Sequence, residues 1–141
     1  MDETLIDVKG LSLVPGPAHI KQPLYSFEVY DEIELHAPEM VAAVILSIPG
    51  MQRSNSAEPA SWDWNALWED GDRHLELDFT LLEPDEGVFW GGSNLQGRCR
   101  QSDLMKIWSA LRKRLKGVWL HDAECRLWTP ESFKRRKIAK P

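Results

Sequence analysis

Apolar and polar residues alternate most strictly from His74 to Leu81, where Leu75, Leu77, Phe79 and Leu81 fall on one face and His74, Glu76, Asp78 and Thr80 on the other. A period of two predicts a half-buried antiparallel strand. Pro84-Asp-Glu-Gly87 follows as a turn, and Val88-Phe-Trp90 as a second strand ending at Gly91-Gly92, so residues 74–90 are expected to form a hairpin. The period then lengthens. Leu104, Ile107, Trp108, Leu111 and Leu115 recur at helical spacing, which predicts an amphipathic helix over about 102–115. Ser102 is placed to cap its start, Asp103 suits the positive end of the helix dipole, and basic residues crowd its last turn ahead of Gly117.

Weaker patterns fill the rest. Leu11–Val14, Tyr25–Tyr30 and Ile33–His36 lean towards strands, separated by Pro15-Gly-Pro17 and Pro23. Pro38 can open a helix running through Val41 and Ile45, although the Val and Ile content suits a buried strand nearly as well. Gln52–Ser61 is polar and reads as an exposed loop. Val118–Leu120 and Cys125–Trp128 are short strand candidates, Thr129-Pro130-Glu131 opens a short helix, and the chain frays from about residue 134 into a basic tail. Together these elements predict an α+β fold, a mostly antiparallel sheet with one long amphipathic helix packed on it, as a single globular domain over 1–141.

Composition fits that picture: 141 residues with 43% apolar content are enough to bury one core. The N-terminus is acidic where a secretory signal would be basic, and the longest nearly continuous apolar run, Met40 to Ile48, is far too short to span a bilayer. No membrane association is expected. Cys99 and Cys125 make neither a CxxC pair nor a disulfide framework, so both are expected as free thiols in a cytoplasmic protein.

Charge changes the picture more. Residues 1–95 carry four basic side chains against eighteen acids, whereas residues 96–141 carry thirteen against four, so the overall net of −5 conceals two opposed halves. Such asymmetry concerns partners and association rates rather than fold. The basic C-terminal half raises nucleic-acid binding, but the acidic half would repel a phosphate backbone, which makes nucleic acid an unlikely partner. The simpler account of those basic residues is that they cap a helix dipole and pair with the acids.

All seven tryptophans lie between Trp62 and Trp128. Trp90, Trp108, Trp119 and Trp128 sit in apolar patterns that predict core. Trp62, Trp64 and Trp68 instead stand among Asp63, Glu69, Asp70 and Asp72. On a helix Trp64 and Trp68 would share a face. Either that face plugs the core or the segment is a partner-binding patch, since Trp is enriched at interface hot spots and neighbouring acids steer a basic partner. Elsewhere the chemistry is thin. Cys99, His121 and Cys125 lack the fourth ligand of a structural zinc site, so no metal is expected. Gly87–Asn94 lacks the spacing and lysine of a phosphate loop, and no cofactor or catalytic set is identified. The expectation is a non-enzymatic protein-binding domain that engages a basic protein through Trp62, Asp63, Trp64, Trp68, Glu69, Asp70 and Asp72. Its size and charge are similar to those of small acidic inhibitor or immunity-type proteins, a likeness of class and not of motif. The alternative is a small enzyme or ligand-binding domain using His121 and Glu124.

Overall fold

The structure is a computed structural model describing residues 4–17, 24–25, 34–83 and 87–135. In chain order the elements are β1 (Ile6–Pro15), β2 (Leu24–Tyr25), α1 (Pro38–Leu46), β3 (Met51–Arg53), β4 (Asn65–Asp70), β5 (Arg73–Asp78), β6 (Thr80–Leu82), β7 (Phe89–Cys99), α2 (Gln101–Arg114), β8 (Val118–His121), β9 (Arg126–Trp128) and α3 (Pro130–Arg135). The strands form an antiparallel sheet in the order β2-β9-β8-β1-β7-β5-β4-β3, with β6 laid on the start of β7. The class is α+β.

The alternation at 74–81 holds: Leu75, Leu77, Phe79 and Leu81 are all buried. Two details depart from the expected hairpin. The run breaks at Phe79 into β5 and β6, and the returning strand does not end at Gly91-Gly92 but continues for eleven residues to Cys99. Thus β6 pairs with the beginning of β7 and β5 with its end. Gly97 permits that second pairing, because a Cβ there would run into the His74 carbonyl oxygen. The turn residues 84–86 lie outside the described residues, as do most of the strand pieces expected near Tyr25 and Ile33 and the tail beyond Arg135.

The helices share one side of the sheet. Proline at the first turn starts α1, which buries Val41, Ala42, Val44 and Ile45. The amphipathic helix is a modest one of 14 residues, and its start differs from expectation: Arg100, not Ser102, is the N-cap residue. The carboxylate of Asp103, at the third helical position, accepts the Arg100 backbone N–H at 2.9 Å and so satisfies a donor that no earlier carbonyl reaches. Leu104, Ile107, Trp108 and Leu111 face inward as their spacing requires, and the Trp108 ring N–H donates to the Val118 carbonyl at 3.0 Å. At α3, Thr129 and Ser132 exchange backbone-to-hydroxyl hydrogen bonds in the manner of a capping box. Residues from all three helices join Leu13, Leu75, Leu77, Leu95 and Leu120 of the sheet in one core, whereas Trp119 and Leu127 form a separate small cluster with Val14.

The strand β1 carries the irregularity that shapes the opposite face. Val8 pairs with Gly97 but Leu11 with Leu95, so one extra residue is accommodated on β1. This is a β-bulge, and Gly10 within it has φ +73, a left-handed conformation that glycine adopts without steric cost. The bulge keeps Val8, Leu11 and Leu13 all directed at the core while Lys9 is turned outward.

Candidate functional site

The segment from Trp62 to Asp72 is a loop followed by a strand, not a helix. The two-residue period of β4 sends Trp64, Ala66 and Trp68 into the core and leaves Asn65, Leu67 and Glu69 on the other face. Trp64 is 0% exposed and packs on Phe79 with ring centroids 4.3 Å apart; Trp68 is 8% exposed beneath the Arg73 guanidinium. Trp62 alone, at 60% exposure, presents its indole outward. The three-indole surface is therefore corrected to a single exposed ring. The fold also separates the acids, with Asp63 in the turn ahead of β4 and Glu69 and Asp70 at its far end.

The acids differ in what they touch. Asp70 pairs with Arg73 at 2.6 Å, and the same guanidinium reaches Asp103 at 2.8 Å, tying the β4–β5 hairpin to the start of α2. Asp63, Glu69 and Asp72 are exposed and make no ion pair with another described residue.

On the sheet face that no described helix covers, pairing register assembles a row that is scattered in sequence. Ser12 of β1 lies between His121 of β8 and Asn94 of β7. Its hydroxyl donates to Asn94 Oδ1 at 2.7 Å, while Asn94 donates from its backbone N–H to Asp78 Oδ1 at 2.7 Å and from Nδ2 to Asp78 Oδ2 at 3.2 Å. Glu76 and Gln96 form the next pair along β5 and β7. Together with the Lys9–Gly10 bulge and the β8–β9 turn at Asp122 and Ala123, these residues line a recess of about 440 Å³. It borders a second recess of about 250 Å³ that reaches Val14, Thr80, Gly91 and Gly92.

The turn that forms one wall is tightly built. Asp122 Oδ1 accepts the backbone N–H groups of Glu124 and Arg126, and Oδ2 accepts the Trp128 ring N–H at 2.8 Å. Partial burial works to raise the Asp122 pKa, but those hydrogen bonds and the Arg126 charge outweigh it and hold the carboxyl below its ordinary value. Glu124 pairs with Arg126 at 2.9 Å and does not line the recess.

The reactive groups are kept apart. Cys99 is buried on the core side, where desolvation, helped by the nearby Asp103 charge, pushes its thiol up to about 11. His121 lines the opposite face, and Cys125 is exposed in the β8–β9 turn with φ +64. No group of three or more metal-ligating side chains stands together among the described residues. The Ser12 proton is given to Asn94 rather than to His121, so those two are not arranged as nucleophile and base. Of the basic half, Arg100 starts α2, Arg112 reaches the Val118 carbonyl at 3.3 Å, and Lys113 and Arg114 extend from the last turn of α2. No described helix is long and apolar enough to cross a membrane.

Sequence reasoning passed over Ser12, Asn94, Asp78 and Lys9 as site residues. The one local signal was the break in alternation between Val8 and Leu11, which marks a bulge; the remainder depends on strand register between distant segments. No protein-family model matches the chain, and no curated protein or solved structure resembles it at a significant level.

Proposed function

We propose that this chain is a cytoplasmic, non-enzymatic protein-binding domain, of the acidic inhibitor or immunity type, that engages a basic protein partner. Trp62 is the apolar anchor, Asp63, Glu69 and Asp72 are the steering charges, and Asp70 is shared with Arg73. The carrying observation is that, among the described residues, no ion pair joins an acid of residues 1–95 to a base of residues 96–141. Among the described residues the two charged halves do not neutralise each other side chain to side chain, which leaves Asp63, Glu69 and Asp72 available for another molecule. Exposed charges of this kind contribute little to stability but accelerate encounter with an oppositely charged surface.

The test is the rate of association with a basic protein captured from lysate and then purified. Stopped-flow measurements are expected to show an association rate that falls steeply as salt rises, while dissociation changes less. Reversing Asp63, Glu69 and Asp72 to lysine slows association further, and Trp62→Ala speeds dissociation. Association indifferent to both salt and the reversals overturns the reading.

A further inference from the structure

We propose that the recess between the β1 bulge and the β8–β9 turn receives an arginine side chain of the basic partner. The inference rests on the protein-binding reading above and gives it a specific socket away from Trp62. Glu76, Asp78 and Asp122 line the recess against one cation, Lys9; the Asp122 carboxylate is held by the Glu124 and Arg126 backbone and the Trp128 ring N–H, so Glu76 and Asp78 are the acceptors for a ligand. Glu76 is exposed and makes no ion pair with another described residue. Asp78 is fixed rather than consumed: each of its oxygens accepts one hydrogen bond from Asn94, which leaves acceptor capacity on both. Ser12 fixes Asn94 in turn by donating to its side-chain oxygen. A pre-organised acceptor pair of this kind loses little entropy on binding.

The geometry favours a guanidinium over an ammonium. Glu76 and Asp78 lie two residues apart on one strand, so both carboxylates rise from the same face with their Cα atoms about 7 Å apart. A planar fork with five donors can engage both, whereas a lysine ammonium acts as a point charge. A free small cation would need only the 440 Å³ recess. The adjoining recess past Gly91 and Gly92 gives the flanking polypeptide a place to lie, which favours a side chain carried by a protein.

The experiment titrates the full 141-residue chain with the blocked peptide Gly-Gly-Arg-Gly-Gly, its lysine counterpart and agmatine, following backbone amide resonances. The arginine peptide is expected to shift Ser12, Asn94, Gln96 and His121 saturably, and the lysine peptide to bind about threefold more weakly. Glu76→Gln should weaken arginine binding by about tenfold, the loss of one charge-assisted contact. Glu58→Gln makes the same change in net charge on the exposed loop ahead of β4 and should leave affinity within about twofold, as expected of an exposed, screened charge.

Absence of saturable shifts at those four residues overturns the proposal, and so does equal weakening by the two variants, which would mean a diffuse attraction. Agmatine binding as tightly as the peptide also overturns it, by showing that the recess takes a free small cation. Failure here is separable from failure of the broader reading. A basic protein whose salt-steered arrival leaves the four amides unmoved removes the socket and spares that reading; an arginine peptide that binds as described while no basic protein associates does the reverse.

Discussion

The two faces of the central sheet are made from the same strands and differ in almost everything else. On the covered face Leu13, Leu75, Leu77, Leu95 and Leu120 meet three helices, and their immediate sequence neighbours Ser12, Glu76, Asn94, Gln96 and His121 line the uncovered recess. Burial fixes the first set. The second set is free of that constraint, and it is where side-chain hydrogen bonds run across strands from Ser12 to Asn94 to Asp78. Stability resides on the covered face and the proposed arginine socket lies on the other, so substitutions on the two should separate cleanly.

The largest expected effect is on the covered face. Trp108→Ala empties a fully buried site and removes the hydrogen bond to the Val118 carbonyl; it should cost about 3–5 kcal/mol of unfolding free energy. Glu76→Gln, on the uncovered face, should stay within about 0.5 kcal/mol of the parent. Urea denaturation of the two variants measures the contrast, and comparable losses would mean that the recess residues also hold the fold together.

The covered face was the legible one. The helical period at 104–115 and the strand period at 75–81 each repeat four or five times, so local pattern and tertiary burial point the same way, even though the helix is capped at Arg100 rather than at Ser102. The segment Trp62–Asp72 was ambiguous for a definable reason. Trp64 and Trp68 are four apart, a spacing that places two side chains on one face of a helix and equally on one face of a strand. Ala66 between them, and the two-residue turn Gly71-Asp72 that joins β4 to the alternating β5, are the features that favour the strand. The recess is illegible in a different way. Ser12, Asp78, Asn94 and His121 come from four strands, and only the register between those strands, shifted by the bulge at Gly10, makes them neighbours.

A smaller effect is expected where the hairpin meets the helix. Arg73 is held by Asp70 and Asp103, and Asp103 also accepts the Arg100 N–H at the start of α2. Asp103→Ala therefore breaks a largely buried pair and a helix cap together, and should cost about 3 kcal/mol. Asp72→Ala, one turn away on the exposed hairpin loop, should cost little. If the two variants unfold at the same urea concentration, the contrast between structural and surface acids in this segment is lost.

The smallest effect comes from two titrating groups, one on each side of the sheet, that shift in opposite senses. Cys99, buried on the core side, has its thiol raised from 9.0 to about 11. Between those values the unfolded chain has released a proton that the folded chain retains, so stability falls as pH rises through that window. Asp122, in the turn on the other side, is held below its ordinary 3.8. Its contribution is complete above that value and is lost as pH falls through the lowered folded pKa, because protonation then dismantles the acceptor for Trp128, Glu124 and Arg126. Urea midpoints measured across pH should show both limbs. Cys99→Ala should flatten only the alkaline limb, and Asp122→Asn only the acid one. A variant that altered the opposite limb would show that the two faces are coupled through the sheet rather than independent.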